Sequence, residues 1–286
     1  MQDRKIIIGA TGFVGKRLLA CASKIGKSFG TSSKGGEHQK LDLKNLTKND
    51  LGFINSNDVL FITAAISSPD ICSKDPKLAW AVNVDGTSRL IEYAMEIGAR
   101  VIFFSSDTVY GERFDDFDES SDIAPLGIYA LMKSEIERKF LNVAEFKSIR
   151  LSYVFSSEDK FTQYVINTHR KGEEVDVFDS LARSVIYLED VVQGVLNLSQ
   201  NWYKIDNKII NFGGDNLYTR ADMAQILKDA YLSDLKIRKI IPDAKFFESR
   251  PRVINMKSPI LEKLLGCRPF KLSDAVIREF EINEGI

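Results

Sequence analysis

The chain has 286 residues, of which 44% are hydrophobic and 28% charged, and a formal net charge of -1 at pH 7. This composition is typical of a globular protein with one large domain or two closely joined ones. The small net charge gives no general attraction to nucleic acid or to an anionic membrane, and no apolar run reaches the roughly 18 residues of a membrane span. The N-terminus begins as a strand rather than a signal peptide, so we predict a cytoplasmic protein.

Metal and disulfide chemistry have little basis in the sequence. The three cysteines, Cys21, Cys72 and Cys267, are isolated and odd in number, and the two histidines are His38 and His169. An odd set of scattered cysteines argues against a disulfide framework, and zinc sites are built mainly from paired cysteines and histidines. We therefore expect no metal site.

The first 155 residues alternate strand patterns with helical ones. The expected strands are "KIIIGA", "KSFGTSS", "DVLFITAA", "RVIFFSSDTVYG" and "FKSIRLSYVFS". The expected helices are "FVGKRLLACASKIG", which ends at Gly26, "KLAWAVNVDGTSRLIEYAMEIGA" and "YALMKSEIERKFLNVA". This alternation predicts an α/β protein with a Rossmann-type, doubly wound parallel sheet.

The alternation loosens after Ser156. We predict a dinucleotide-binding domain over residues 1–155 and a smaller α/β C-terminal substrate lobe over 156–286. A segment near 184–200 is expected to return to the first domain. In the lobe, "TRADMAQILKDAY" is helical, with Thr219 as its predicted N-cap.

The loop "GATGFVG" follows the first strand and opens the first helix. Glycine allows positive φ, close approach of backbone to phosphate, and close helix–strand packing. The helix N-terminus adds free N–H groups and a partial positive charge. A tight turn without a ligand is the alternative, but the strand before and the helix after favour a dinucleotide site. The loop residues assigned to it are Gly9, Thr11, Gly12, Phe13, Val14 and Gly15.

The residues after the second strand indicate which dinucleotide is bound. An NAD site generally has a carboxylate about 20 residues beyond the glycines, but "GTSSKGGE" has no carboxylate before Glu37. Ser32, Ser33 and Lys34 suit a 2′-phosphate, so NADP is favoured and NAD stays open. A solvated turn is the alternative. Asp42 and Leu43 could flank the adenine, although an aspartate there could equally cap a helix.

Two further stretches carry chemical groups. Tyr129 and Lys133 in "YALMK" lie four residues apart on one helical face, where a lysine cation would favour the tyrosinate and lower the tyrosine pKa. Ser105, Ser106 and Asp107 fall at the carboxyl end of an apolar strand, the edge at which open α/β sheets bind ligands.

Taken together, these stretches resemble the extended short-chain dehydrogenase/reductase family. The resemblance covers nearly the whole chain and rests on "GATGFVG", "LDL", "NVDGTSRLIEYA", "SSDTVYG", "YALMK", "RLSYVFS", "RSVIYLEDVV", "NFGG" and "RPRVINM" in that order. It implies that Tyr129 is the acid/base, that Lys133 holds the nicotinamide ribose, and that Ser106 orients the reacting oxygen.

The same resemblance implies supporting residues. Ala64 and Ala65 would lie beside the cofactor, and Asn83 would support the site. A nucleotide-sugar substrate would lie near Asp107 and Thr108, and Arg183 and Arg250 would bind its diphosphate; for Arg250 a surface ion pair is an equal alternative. Many members of the family form homodimers through the helix that carries the tyrosine.

Departures from the family patterns reduce the number of reactions that fit this chain. The 4,6-dehydratases have Asp-Glu after the catalytic hydroxyl, whereas this chain has Asp107 and Thr108. Epimerase-reductases of the GDP-fucose type use a cysteine at the position of Asp107. "SSDTVYG" and "RLSYVFS" look most like the dTDP-4-dehydrorhamnose reductase group, whereas "RSVIYLEDVV" looks like the epimerase branch.

The resemblance therefore implies an NADPH-dependent reduction of a 4-keto-6-deoxy nucleotide sugar. One alternative is a nucleotide-sugar 4-epimerase with tightly bound NAD. A second is a non-catalytic NADP-binding regulator, against which the presence of Ser106, Tyr129 and Lys133 argues.

Overall fold

A computed structural model describes residues 3–113 and 115–284 of the chain. Its strands are β1 (Arg4–Ile8), β2 (Ser28–Ser32), β3 (Gln39–Lys40), β4 (Asp58–Ile62), β5 (Arg100–Ser106), β6 (Asp116–Phe117), β7 (Phe146–Leu151), β8 (Val154–Phe155), β9 (Val175–Val177), β10 (Ala182–Ser184), β11 (Ile186–Tyr187), β12 (Ile209–Phe212), β13 (Leu217–Thr219), β14 (Ile237–Lys239) and β15 (Val253–Met256). Its α-helices are α1 (Phe13–Ile25), α2 (Pro69–Lys74), α3 (Pro76–Trp80), α4 (Thr87–Glu96), α5 (Ile128–Phe140), α6 (Lys160–Arg170), α7 (Leu188–Gln200), α8 (Arg220–Ala230), α9 (Pro259–Leu265) and α10 (Leu272–Glu284).

The main sheet has seven strands in the order β12-β7-β5-β4-β1-β2-β3. Every pairing in it is parallel. The chain runs outward from β1 to β3 and then crosses back to β4, so the strand order reverses between β1 and β4. Ligands of open α/β sheets bind outside the carboxyl ends of the strands at such a reversal. The loop Gly9–Gly15 lies at that point.

The core lies on both faces of this sheet. In β1, Ile7 packs with α1 and α7 on one face, whereas Ile6 and Ile8 pack with α4 and α5 on the other. Successive strand residues point to opposite faces, so an unbroken apolar run is what a strand covered by helices on both sides requires. The predicted doubly wound α/β fold is confirmed.

The second lobe is built around a four-stranded sheet in the order β13-β10-β15-β6. Two parallel pairs, β8 with β11 and β9 with β14, complete it. Each half of the chain contributes segments to the sheet of the other half. Strand β6 comes from the first half and pairs with β15, whereas β12 from the second half pairs with β7 in the main sheet and α7 packs on α1. The division at residue 155 stays a prediction.

Several local predictions can be compared with the structure. Helix α1 ends at Gly26, and Thr219 caps α8 by accepting a hydrogen bond from the Asp222 N–H, both as predicted. The long helix predicted after residue 76 is instead α3 and α4 joined by a π-helical stretch, Ala81–Gly86. Within the described ranges, no helix has the length and apolar character needed to cross a bilayer.

Candidate active site

Gly9 and Gly15 are required by the packing of the fold itself. Gly9 has φ +93°, and a Cβ there would lie 2.8 Å from backbone atoms of Ala64. A Cβ on Gly15 would lie 2.2 Å from the Gly9 carbonyl oxygen. These contacts let α1 begin directly against β1 and the end of β4, which is the close helix–strand packing expected of the loop.

Gly12 is different, because the fold places little against it. Its φ is -75°, and a Cβ would meet only the Gly9 carbonyl oxygen, at 3.2 Å. Gly12 is the N-cap of α1, no side chain caps the helix, and the first turn has no acidic residue. The first-turn N–H groups are therefore available to an anion. Thr11 and Gly12 are exposed, whereas Phe13 and Val14 are half-buried, so this loop fits a dinucleotide pyrophosphate.

The end of β2 offers two kinds of side chain. Ser32 is buried and its hydroxyl donates to the Gly35 carbonyl at 2.8 Å, which closes the turn. Ser33 and Lys34 are exposed beyond it. The buried Thr31 hydroxyl has no hydrogen-bond partner among the described residues. An exposed ammonium and an exposed hydroxyl at this strand end suit a phosphate group.

Asp42 and Leu43 follow β3. Asp42 accepts a hydrogen bond from the Lys44 N–H at 3.0 Å and begins a short 3-10 helix, so the helix-capping alternative applies to it. Leu43 is buried, and its backbone packs against Gly86, where a Cβ would lie 1.9 Å from the Leu43 carbonyl oxygen.

Asn83 holds the segment that follows β4. Its side-chain oxygen accepts from the Ile66 N–H at 2.8 Å, and its amide donates to the Ile66 carbonyl at 2.9 Å. Asn83 is buried in the π-helical stretch, a type of helix widening that is frequent at functional sites. Ala64 and Ala65 are half-buried in the segment it fixes.

A cleft of about 1060 Å³ lies between the sheet edge and the second lobe. It brings together residues from both halves of the chain that the sequence singled out as site residues. These are Phe13, Ser106, Asp107, Thr108, Tyr129, Arg183 and Arg250.

Tyr129 and Lys133 lie on α5, with Tyr129 lining the cleft and Lys133 buried behind it. The Lys133 ammonium is 5.7 Å from the Tyr129 ring centroid and donates to the Phe104 carbonyl at 2.6 Å. Burial lowers the pKa of Lys133 to about 8, against the opposing effect of Glu137. Burial, with smaller effects of Asp107 and Cys72, raises the pKa of Tyr129. This direction is opposite to the one expected from Lys133, because burial has the largest effect on the pKa of Tyr129.

Ser106 and Asp107 form a connected network. The Ser106 hydroxyl accepts from the Thr108 hydroxyl at 3.0 Å and donates to Asp107 Oδ1 at 3.2 Å. The other Asp107 oxygen accepts from the Ser152 hydroxyl at 2.9 Å and lies 3.5 Å from Arg183 Nε. Burial raises the pKa of Asp107, and Arg183 and these hydrogen bonds oppose it.

The two arginines proposed for the diphosphate are held by the protein. Arg183 donates through Nη1 and Nη2 to the carbonyls of Ala182, Arg252 and Pro251. Arg250 pairs with Asp70 at 2.6 Å and lies over the Phe246 ring, 4.5 Å from its centroid. Both nevertheless line the cleft.

The cleft also contains Ser105, which the sequence placed at the strand end, and further residues that the sequence did not single out. Ser105 lines it with a buried hydroxyl that has no partner among the described residues. Ser152 and Tyr153 follow the end of β7, and Arg220 follows the predicted cap Thr219. Their positions after a strand end and a helix cap were readable signals, but only the assembled fold points them into one cavity.

The chain is similar to one protein family and to several known proteins. The family described as "RmlD substrate binding domain" matches residues 4–278. A dTDP-4-dehydrorhamnose reductase of Mycobacterium tuberculosis is 24% identical over 261 residues, covering 88% of this chain and 83% of the relative. Methionine adenosyltransferase 2 subunit beta of Xenopus tropicalis is 26% identical over 227 residues, covering 75% and 67%.

One solved structure shows the same fold over almost the full length. The dTDP-4-dehydrorhamnose reductase of Bacillus anthracis, in complex with NADP, superposes with a TM-score of 0.83 at 20% identity, covering 98% of this chain and 99% of that one. At that identity the likeness concerns the fold. The family match extends over nearly the whole sequence, and the chain belongs to the RmlD substrate binding domain family.

Proposed function

We propose that the protein reduces the ketone of a 4-keto-6-deoxy nucleotide sugar with NADPH, as a ketoreductase of the dTDP-4-dehydrorhamnose reductase type. One observation carries the proposal: Ser106 and Tyr129 line the same cleft, and Lys133 lies buried directly behind Tyr129. A hydroxyl, a phenol and an ammonium are the groups that such a reduction needs. The similarity to reductases of this name supports the substrate class.

The cofactor is proposed to be NADP, with NAD as the alternative. The first turn of α1, beyond Gly12, would hold the pyrophosphate, because no side chain caps that turn. The exposed Ser33 and Lys34 would hold the 2′-phosphate. When bound, a reduced nicotinamide supplies the hydride for carbonyl reduction.

The side chains of the cleft perform the remaining chemistry. The Ser106 hydroxyl accepts a hydrogen bond from Thr108, and on substrate binding its O–H would turn from Asp107 to the substrate carbonyl and polarise it. Tyr129 donates its proton to the oxygen as negative charge develops there. The Lys133 ammonium stabilises the tyrosinate left behind and binds the ribose.

The raised pKa of Tyr129 suits the reductive direction. Burial keeps the phenol protonated at neutral pH, and a reduction requires this group to give up a proton rather than to accept one. An oxidation would instead require the ionised form. The protonated Tyr129 phenol is therefore the form that the proposed reduction uses.

An absorbance assay at the reduced-nicotinamide band tests the proposal. The protein would be mixed with NADPH or NADH and with 4-keto-6-deoxy sugars carrying dTDP, UDP or GDP. We expect NADPH oxidation with one of these sugars. NAD released on denaturation, without net NADPH oxidation, would instead establish the epimerase.

A non-catalytic role is the remaining alternative. It is retained because the chain is also similar to methionine adenosyltransferase 2 subunit beta, which is not named as a reductase. Folded protein that binds NADPH but oxidises it with no sugar, and releases no NAD, would establish that role. The homodimer through α5 also stays a prediction, to be measured by light scattering.

A further inference from the structure

Arg220 is a guanidinium in the cleft that the mechanism above does not use. It is the first residue of α8 and is partly buried. Its Cζ lies 3.6 Å from the centroid of the Tyr153 ring and 4.9 Å from that of the Phe161 ring. Stacking on aromatic faces fixes the plane of a guanidinium and leaves its N–H edge free for planar oxyanions.

The rings that support Arg220 are themselves fixed. The Tyr153 hydroxyl donates to Asp159 Oδ1 at 2.5 Å, and Asp159 is 4% exposed. The same aspartate caps α6 by accepting from the Phe161 and Thr162 N–H groups. Arg220 therefore lies on a preorganised support, which lowers the conformational entropy lost when it binds a ligand.

Arg220 also differs from two other arginines of the cleft in how its charge is paired. Arg183 lies beside Asp107, and Arg250 pairs with Asp70. Arg220 forms no salt bridge with any residue that the structure describes, and its one hydrogen bond goes from Nη1 to the sulfur of Met223 at 3.1 Å. A guanidinium has five N–H donors, and a partly buried cation without a counter-ion favours an anionic ligand.

We propose that Arg220 binds a phosphate oxygen of the diphosphate in the nucleotide-sugar substrate. This inference rests on the proposed function for its substrate class. Among the described residues no carboxylate pairs with Arg220, so most of its donors are available, and its flat, stacked guanidinium matches the geometry of a phosphate oxygen pair. It acts in binding rather than on the reacting carbonyl.

Calorimetry on NADPH-saturated protein tests this role. The titrants are dTDP, UDP and GDP, and the variants are Arg220→Met, Arg220→Lys and, as a control of equal charge change outside the cleft lining, Arg268→Met. We expect Arg220→Met to weaken binding of the preferred nucleoside diphosphate on the order of 10- to 100-fold, as for one lost charge-assisted pair. Arg220→Lys should be intermediate, and Arg268→Met should bind like wild type.

Steady-state kinetics separates a binding contact from a structural role. In Arg220→Met, KM for the sugar nucleotide should rise by a similar factor, while kcat, the NADPH Kd and the unfolding midpoint stay near wild type. The more conservative Arg220→Lys tests the same point if the methionine variant does not fold. Unchanged KM and unchanged nucleoside diphosphate affinity in an active Arg220→Met would overturn the inference and leave the reductase intact.

Two other outcomes are distinguishable. Binding of a nucleoside diphosphate that depends on Arg220, in protein that reduces none of the sugars, would support the anion contact and reject the proposed reaction. Equal loss of affinity in Arg220→Met and Arg268→Met would show a general effect of net charge and would overturn the assignment of Arg220.

Discussion

Tyr129 and Lys133 lie one helical turn apart, yet burial has the largest effect on the pKa of each. Burial disfavours the charged form of any group, so it raises the pKa of the tyrosine and lowers that of the lysine. The sequence spacing alone indicated the opposite direction for Tyr129. Both shifts follow from the closed environment behind the cleft, which includes the Phe103 ring 4.6 Å from the Lys133 ammonium.

Tyr129→Phe tests the proton donor. Removing the hydroxyl should lower kcat by about 10²- to 10⁴-fold, the usual contribution of general acid catalysis. NADPH affinity should stay near wild type, because the ring is retained. Stopped-flow absorbance measures the rate, and fluorescence titration measures cofactor binding. Tyr203→Phe, at a side chain that is 85% exposed, is the matched control. Retention of most turnover in Tyr129→Phe would remove this residue from the mechanism.

The pH dependence of kcat/KM tests Lys133. With a pKa of about 8, Lys133 is an ammonium below that pH and neutral above it. Since the proposed mechanism uses the cation, kcat/KM should fall as pH rises through about 8. Profiles of wild type and Lys133→Met measure this, and the variant should lack that alkaline step. A wild-type profile that is flat between about pH 6.5 and 9.5 would contradict a role for this titration.

At the scale of elements, the loop between β1 and α1 combines two different uses of glycine. Gly15 is required by the fold, since a Cβ there would lie 2.2 Å from the Gly9 carbonyl oxygen. Gly12 has only a 3.2 Å contact with that oxygen and caps α1 without a side chain. The same motif therefore contains a packing position and a position that leaves room beside the helix N-terminus.

Gly12→Ala and Gly15→Ala should separate these uses. Gly12→Ala should lower the free energy of unfolding by at most about 1 kcal/mol, as expected for an N-cap change, but should clearly weaken NADPH binding. Gly15→Ala should destabilise the protein strongly, because backbone must move. Thermal melts with and without NADPH measure both effects. A Gly12→Ala protein with wild-type NADPH affinity would place the phosphate elsewhere.

Helix α5 is anchored to the sheet by a buried ion pair one turn beyond Lys133. Glu137 accepts from Arg150 Nη2 at 2.8 Å and from the Ser148 hydroxyl at 3.1 Å, and the side chains of Glu137 and Arg150 are 3% and 6% exposed. This contact fixes the rotation of α5 and so the direction of Tyr129.

Glu137→Gln should lower the free energy of unfolding by about 3–5 kcal/mol, because it leaves the Arg150 charge buried without a partner. Glu135→Gln, on the exposed face of the same helix and paired with Arg138, should cost less than about 1 kcal/mol. Denaturant titration of both variants measures the difference. Equal, small effects would show that the pair does not anchor α5.

At the scale of the whole molecule, the ion pair between Asp70 and Arg250 joins two distant parts of the chain beside the cleft. Asp70 belongs to α2 beside the main sheet, and Arg250 belongs to the second lobe, 180 residues later. Asp70 is 75% exposed, so the pair adds little stability. It does, however, occupy a guanidinium that is a candidate for the substrate diphosphate.

Asp70→Asn should therefore lower KM for the sugar nucleotide. In this variant Arg250 has no carboxylate to release before it binds the substrate diphosphate. The free energy of unfolding should change by less than about 1 kcal/mol. Initial-rate kinetics measures KM, with Asp234→Asn, at a side chain 85% exposed, as the control. A higher KM in Asp70→Asn would mean that this carboxylate helps to hold Arg250 in place for the substrate.

Local patterns in the sequence were sufficient for much of the fold. The apolar run of β1, the end of α1 at Gly26 and the cap at Thr219 depend on residues within a few positions of one another, and short-range periodicity encodes such features. The exchange of β6 and β12 between the two sheets depends on pairing across long stretches of chain, which periodicity does not encode.

The candidate site shows the same difference between local features and long-range contacts. The sequence by itself determined the glycine loop, the strand-end hydroxyl Ser106 and the Tyr129–Lys133 spacing, because each is a local arrangement on one element. Only the tertiary structure decided which way the tyrosine pKa shifts, and which cleft arginine keeps its donors available. Both depend on burial and on charges supplied by distant segments, since Arg220 at the start of α8 meets Tyr153, 67 residues earlier in the chain, only in the folded protein.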